Sequence, residues 1–140
     1  GAKYQFLAGT FQNRFEKYRI GYQHCIWMRD RVKGQIGFFY EHVNEYIKSL
    51  IAMVEYRDIY GVYEQLLDDK GRENILDVVE SLQKNNYNFN ASSKELYIHK
   101  NTLVFRFNKI RELLGVNPMQ QVADREFLEY LHYFIKNNRA

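Results

Sequence analysis

Four apolar residues in the last third of the chain are spaced so that they share one face of an α-helix. They are Leu103, Phe107, Ile110 and Leu114. Their spacings of 4, 3 and 4 residues are typical of a helix with one buried side. Gly115 follows directly and Pro118 comes soon after. Both are typical of a helix end, because glycine readily adopts a left-handed conformation and proline cannot continue a helix. The pattern predicts a helix over about residues 100–114.

Two shorter helices are predicted before this one. The inner face of the first is formed by Ile75, Val78, Val79 and Leu82. Asn85 and Asn86 end that helix, because asparagine tolerates the left-handed conformation of a helix terminus. Asn90 is the predicted N-cap of the second helix. The small side chains of Ser92 and Ser93 let another helix approach closely.

A turn formed by Tyr97 and Ile98 leads to His99, the predicted N-cap of the third helix. A short helix, a tight turn and a longer helix form the arrangement that lets the last helix lie in the DNA major groove. The sequence therefore predicts a helix-turn-helix between about Ile75 and Leu114, with double-stranded DNA as its partner.

The first turn of the third helix carries the candidate base-reading residues Lys100, Asn101 and Thr102. Side chains at that end of the helix reach base edges, and the helix dipole favours phosphate there. Three basic residues are predicted to bind the phosphate backbone, which adds affinity without sequence preference. They are Lys94, Arg106 and Lys109.

Three further residues belong to the predicted interface. His99 either caps the helix or donates a hydrogen bond to a phosphate. Phe105 either contacts a thymine methyl group or packs against a neighbouring helix. Val104 is expected to face solvent on the same side of the helix.

Positive charge is concentrated around the predicted DNA-binding helices. Between Lys84 and Arg111 six basic residues stand against one acid, Glu95, which gives this window a net charge of +5. The whole chain has a net charge of +3, so the remainder carries −2. Such a window is typical of a small domain that meets phosphates, although a solvated helix face also produces one.

The first half of the chain has an aromatic stripe at helical spacing. Its members are Phe11, Phe15, Tyr18, Tyr22 and Cys25. The stripe predicts a long helix from about Phe6 to Val32 that packs inside a domain rather than in a coiled coil. Gly34 and Gly37 bracket a turn, and residues 38–40 form either a short strand or a tucked loop. Further helices are predicted over residues 41–54 and 59–67.

The charged run Asp68–Arg72 predicts a linker between two halves. Residues 1–70 are interpreted as a helical segment, and residues 71–140 as the helix-turn-helix domain. A single proline, with twelve tyrosines and ten phenylalanines, favours long elements and aromatic packing. The predicted fold class is all-α, with a helical N-terminal segment followed by a compact helix-turn-helix bundle.

Nothing in the sequence indicates an enzyme. The histidines lack metal-ligand spacing, no phosphate-binding loop or nucleophile motif occurs, and Asp68 and Asp69 lie in a polar run rather than an apolar pocket. We therefore expect no catalytic residue, no metal and no cofactor. Cys25 is the only cysteine and cannot form an internal disulfide. No run of eighteen apolar residues occurs, so we expect a cytoplasmic protein without a membrane partner.

The most specific strings in the chain are LYIHKNTL and FRFNKI, flanked by LLDDKGRENILDVVESL and REFLEYLHYFI. Together they closely resemble the C-terminal helix-turn-helix of the PucR and CdaR group of regulators, and they are also similar to the unit of the nucleoid protein Fis. The string FFYEHVNEYIKSL and the segment before it resemble the end of the sensory and GGDEF-like region that precedes this module in such regulators.

This resemblance implies a sequence-specific transcription regulator that binds DNA as a homodimer, with the effector sensed by domains upstream of this chain. Two places depart from the family's pattern. Val104 stands where arginine is common, which removes a potential phosphate or base contact. Ser92 and Ser93 stand where alanines are common, and we expect the sequence specificity to differ accordingly.

The alternative interpretation is a helical protein–protein interaction or dimerisation module. It would use the aromatic stripe of the first half together with the apolar residues of a C-terminal helix. The latter are Phe127, Leu128, Leu131, Phe134 and Ile135. A dimer is compatible with DNA binding, because it supplies two recognition helices about one DNA turn apart.

Overall fold

The computed structural model describes residues 4–138 of the chain. The described residues are predominantly α-helical, with one two-stranded parallel sheet, and the prediction of an all-α fold is confirmed. They divide into two compact units, and the division along the chain falls between Ile51 and Ala52. None of the helices within residues 4–138 combines the length and the apolar character that crossing a bilayer requires.

The N-terminal unit contains a small parallel sheet and two helices. Its elements in chain order are β1 (Phe6–Ala8), a 3-10 turn (Phe15–Lys17), α1 (Tyr18–Arg29), β2 (Ile36–Phe38), a second 3-10 turn (Phe39–Glu41) and α2 (Val43–Leu50). The two strands pair with Leu7 opposite Gly37. His24 of α1 stacks on Phe39 with ring centroids 3.9 Å apart, and burial lowers the pKa of this histidine. Aromatic rings therefore hold the N-terminal unit together.

The prediction of one long helix from Phe6 to Val32 is wrong. A strand occupies the start of that segment, and α1 has only 12 residues. The chain folds back over α1, since a Cβ at Gly9 would lie 2.3 Å from the carbonyl oxygen of Gly21. The first two residues of the aromatic stripe therefore do not lie in a core, since Phe11 is 89% exposed and Phe15 is 93% exposed.

The C-terminal unit is a bundle of helices. Its elements are α3 (Met53–Glu64), α4 (Asp69–Asn74), a π-helical segment (Ile75–Val79), α5 (Glu80–Lys84), α6 (Phe89–Glu95), α7 (Lys100–Leu114) and α8 (Val122–Asn137). The residues from α4 through α5 keep helical backbone angles at every junction, so they form one continuous run with a π-helical segment inside it.

The charged run Asp68–Arg72 is the start of a helix rather than a linker. The Asp68 carboxylate accepts a hydrogen bond of 2.7 Å from the Gly71 N–H and thereby caps α4. The division between the compact units falls between Ile51 and Ala52, earlier in the chain than the predicted division at residue 70. The physical reason is α3, which packs on α8 and joins the C-terminal unit.

The core of the C-terminal unit is apolar and continuous. It consists of Tyr56, Leu67, Ile75, Val78, Val79, Leu82, Leu103, Phe107, Ile110, Leu128, Leu131 and Phe134. The predicted inner faces of the first and third helices lie in this core, with Leu114 half-buried at its edge. Leu128, Leu131 and Phe134 of α8 are buried here, so they are not available to the partner protein that the alternative interpretation requires.

A layer of tyrosines joins α3 to α8. Tyr56 lies with its ring centroid 5.1 Å from that of Tyr133, and Tyr60 stacks on Tyr130 at 6.4 Å. Tyr63 meets Phe127 edge to face at 4.8 Å. Ring pairs at these distances stabilise a packed interface beyond the area that they bury.

Gly115 ends α7 as predicted, with φ of 67° in the left-handed region. We expect Gly115→Ala to lower the free energy of unfolding by about 1 kcal/mol, because a Cβ strains that backbone conformation. No neighbouring atom lies within 4 Å of the added Cβ, so backbone strain alone sets the cost. Urea denaturation measures it.

The control is Gly61→Ala in the last turn of α3, where the nearest atom to the added Cβ is 3.7 Å away. It should stabilise the unit by roughly 0.5–1 kcal/mol, because alanine is the better helix former. Equal effects of the same sign at both glycines would contradict the assignment of Gly115 to a left-handed cap.

Candidate nucleic-acid interface

The turn between α6 and α7 has the tight geometry that the sequence predicts. Tyr97 adopts a left-handed conformation with φ of 54° and is exposed. The N–H of Ile98 donates a 3.0 Å hydrogen bond to the carbonyl oxygen of Ser93, which ends α6. The chain can therefore reverse into α7 within the four residues 96–99.

The N-cap of α6 is Asn88, and the prediction of Asn90 is wrong. The side-chain oxygen of Asn88 accepts a 3.0 Å hydrogen bond from the Ala91 N–H. Asn86 and Tyr87 both have positive φ, so the reversal after α5 takes fewer residues than the sequence pattern indicates. Asn90 consequently lies inside the helix, where its carbonyl oxygen accepts a hydrogen bond from the Ser93 hydroxyl.

Two serines let α6 approach α5 closely, as predicted. Ser92 and Ser93 are both buried. The Ser92 hydroxyl donates a 3.2 Å hydrogen bond to the carbonyl oxygen of Ser81. This buried bond fixes α6 against the helix before it, and α6 in turn supports the start of α7.

His99 caps α7, which is one of the two roles that the sequence predicts for it. Its Nδ1 accepts a 3.1 Å hydrogen bond from the Asn101 N–H. A ring nitrogen that accepts must be unprotonated, so the proton of the neutral ring is on Nε2. The cap uses only the backbone of Asn101 and leaves its side-chain amide free of this contact.

The first turn of α7 presents polar side chains to solvent. Lys100, Asn101 and Thr102 are all exposed, as is Lys94 on α6. Among residues 4–138, neither Lys94 nor Lys100 has an acidic group within ion-pair distance. Their charges are therefore not offset by a neighbouring carboxylate.

The next turn of α7 carries Phe105 and Lys109 on one side. Phe105 is 62% exposed, and the Lys109 ammonium lies 5.4 Å from the centroid of its ring. Lys109 is also 3.9 Å from a carboxylate oxygen of Glu112. Val104 is half-buried rather than solvent-facing. An aromatic ring and a cation thus extend the exposed surface of the first turn.

Arg106 is placed differently from the prediction. Its Nε donates a 2.7 Å hydrogen bond to the side-chain oxygen of Asn74, and its Nη2 lies 3.6 Å from a carboxylate oxygen of Asp77. The Arg106 side chain is only 18% exposed. The side chain points to the continuous helical run that starts with α4. Sequence periodicity does not reveal this contact, because the partner is 32 residues away.

Internal pairing reduces the basic character predicted for residues 84–111. The Lys84 ammonium lies 2.9 Å from Glu95, which also accepts hydrogen bonds from Asn85 and Ser81. Hydrogen bonds from Lys84 and Asn85 hold the pKa of the Glu95 carboxyl below its usual range. Arg111 donates to the side-chain oxygens of two asparagines, which hold its side chain in place but, being uncharged, do not offset its charge. Near the turn, Lys94 and Lys100 are the cations without an acid at ion-pair distance within the described part of the chain.

The helices that carry these residues can be compared with known families. Residues 75–125 match the PucR C-terminal helix-turn-helix domain. The match begins in the π-helical segment, contains α6, the turn and α7, and ends in the first turns of α8. A helix-turn-helix of this family indicates DNA-binding transcription regulation in general. Searches of curated proteins and of solved structures found no match.

The match covers a little more than a third of the chain and supports the helix-turn-helix part of the predicted resemblance. The residues before Ile75 lie outside it. Their resemblance to a GGDEF-like region therefore stays a prediction, as do the particular likeness to CdaR and the formation of a homodimer.

Proposed function

We propose that the C-terminal unit is the sequence-specific DNA-binding part of a transcription regulator, with α7 in the major groove. The observation that carries this proposal is the exposed first turn of α7, whose side chains Lys100 and Asn101 lie beyond a cap made by His99. Lysine can bind guanine and asparagine can bind adenine in the major groove. The helix N-terminus at the same place favours phosphate.

The other interface residues receive supporting roles. Lys94 and Lys109 are assigned to the phosphate backbone, and Thr102 to a base or to the adjacent phosphate. The Nε2–H of His99 is left to donate to a phosphate, because Nδ1 is used by the cap. Phe105 is assigned to a thymine methyl group, since it is exposed rather than packed against another helix. Val104 is half-buried, so only the exposed part of its side chain contributes an apolar contact.

A titration of labelled duplex DNA with the full chain tests the proposal. Sites selected from a random duplex pool should bind more tightly than random duplex, and both should bind more weakly at about 200 mM than at about 50 mM salt, because binding releases counterions. Absence of binding to any duplex at the lower salt concentration would contradict the proposal.

Lys109→Ala tests the assignment of a phosphate contact. We expect it to weaken cognate and random duplexes by the same factor and to reduce the slope of log K against log salt by about 0.9, the value for one lost phosphate contact. The control is Lys136→Ala, which removes the same charge from α8, where Lys136 pairs with Glu80 at 2.8 Å. The control should leave the slope unchanged, and a loss confined to the cognate duplex would instead make Lys109 a base-reading residue.

Self-association is the second candidate role, and an exposed apolar side of α3 favours it. Ile59 and Val62 are exposed on that helix, and Leu66 is exposed just after its end. A homodimer would bring two copies of α7 to one DNA duplex. Sedimentation velocity over a range of protein concentrations, with and without cognate duplex, measures this, and a monomer on DNA at all concentrations would contradict it.

A further inference from the structure

The guanidinium of Arg106 is used inside the C-terminal unit. Its Nε–H donates to the Oδ1 of Asn74 at 2.7 Å, which is a short charge-assisted hydrogen bond. Asn74 is only 3% exposed and is the last residue of α4. Arg106 therefore joins the middle of α7 to the start of the π-helical segment.

The bond between Arg106 and Asn74 is directional, whereas the packing of the inner face of α7 is apolar. Leu103, Phe107 and Ile110 bury the inner face of α7, but apolar burial has no preferred angle. A hydrogen bond requires a defined distance and angle. The bond between Arg106 and Asn74 consequently restrains the rotation of α7 about its own axis.

The rotation of α7 decides which side chains its first turn presents. Lys100 and Asn101 precede Arg106 by one to two helical turns on the same rigid helix. We propose that Arg106 and Asn74 position the base-reading side chains of α7, and that Arg106 does not itself bind DNA. This inference rests on the proposed DNA-binding function.

The charge around Arg106 agrees with a positioning role. A carboxylate oxygen of Asp77 lies 3.6 Å from its Nη2 and offsets part of the attraction that a phosphate would feel. Lys109 also has an acid nearby, but its side chain is 52% exposed, whereas that of Arg106 is only 18% exposed and offers a phosphate little access. Among residues 4–138, Lys94 has no such acid, so it is the better phosphate ligand. The sequence alone predicts the same phosphate-binding role for Lys94 and Arg106.

Arg106→Lys distinguishes a positioning residue from a phosphate ligand. Lysine keeps the positive charge but has no Nε–H to donate to the Oδ1 of Asn74. If Arg106 positions α7 through that hydrogen bond, lysine should not replace it. We expect the ratio of cognate to random affinity to fall about fivefold or more in both Arg106→Lys and Arg106→Ala. The salt slope should remain that of the wild type in both, because no phosphate contact is removed.

Asn74→Ala supplies a variant that cannot touch DNA, because Asn74 is buried. It should reduce the affinity ratio as much as Arg106→Ala does. In the double variant the second substitution should add little, because both residues act through one bond. Gly115→Ala is the control for stability, since it weakens the unit at the C-terminal end of α7, away from the bond between Arg106 and Asn74, and should leave the affinity ratio unchanged. Circular dichroism at the assay temperature verifies that each variant is folded.

Three results would overturn the proposal. Wild-type affinity in Arg106→Lys, together with a salt slope lowered by about 0.9 in Arg106→Ala, would make Arg106 a phosphate ligand. A wild-type affinity ratio in folded Asn74→Ala would leave the bond with a purely structural role. If the wild type binds no duplex, the proposed function fails as well. The two failures can be told apart. Urea denaturation of the wild type, Arg106→Ala, Asn74→Ala and the double variant still measures the coupling free energy between Arg106 and Asn74, whether or not the protein binds DNA.

Discussion

Replacement of Phe107 by alanine is expected to lower the free energy of unfolding of the C-terminal unit by about 3–5 kcal/mol. Phe107 is only 2% exposed and lies in the middle of α7. Its ring meets those of Phe89 at 5.5 Å and Tyr87 at 6.4 Å between centroids. Alanine would leave a cavity that these neighbours can only partly fill. Because small domains are stable by about 5–15 kcal/mol, the loss is a large part of the total.

Phe105→Ala is the matched control for this prediction, since it removes the same atoms from the same helix two residues earlier. Phe105 is 62% exposed, and its ring contacts the Lys109 ammonium. We expect it to cost less than about 1 kcal/mol, the size of an exposed cation–π contact. Urea denaturation followed by circular dichroism measures both, and similar losses in the two variants would show that the inner face of α7 is misassigned.

Lys100→Ala and Asn101→Ala are expected to have the largest effects on DNA recognition. Each should reduce discrimination between a cognate and a random duplex by roughly 1–3 kcal/mol, the value of a good base contact. The fold should be unaffected, because both side chains are exposed and the cap of α7 uses only the backbone N–H of Asn101. Parallel titrations of selected and random duplexes measure the difference.

The control for these two variants is Lys109→Ala, which should weaken both duplexes alike. Equal losses on cognate and random DNA for Lys100→Ala and Asn101→Ala would show that the first turn of α7 binds only the backbone. Val104 or Phe105 would then be the next residue to test for base readout, because they follow on the same helix.

The parts of the fold that sequence predicts correctly are those set by local chemistry. The periodic apolar residues of α7, its cap at His99 and its end at Gly115 depend only on residues within a few positions of one another. The sequence pattern places the cap of α6 two residues too late, because Asn88 and Asn90 are equally good caps and only the positive φ of Asn86 and Tyr87 decides between them.

The parts that sequence does not predict depend on distant residues. The partner of Arg106 is 32 positions away, and α3 joins the C-terminal unit through tyrosines of α8. In the N-terminal unit the helical spacing from Phe11 to Cys25 is misleading, because the chain crosses itself where Gly9 meets Gly21. Periodicity carries no information about such a crossing.

The tyrosine layer between α3 and α8 sets the smallest fragment that can fold as the C-terminal unit does. A shortened chain that begins at residue 71, where the charged run suggests a boundary, would lack α3 and leave Tyr130 and Tyr133 facing water. Such a surface promotes aggregation. The limits of an autonomous DNA-binding fragment are therefore fixed by two helices outside the helix-turn-helix, and a fragment for solution work should begin no later than Ala52.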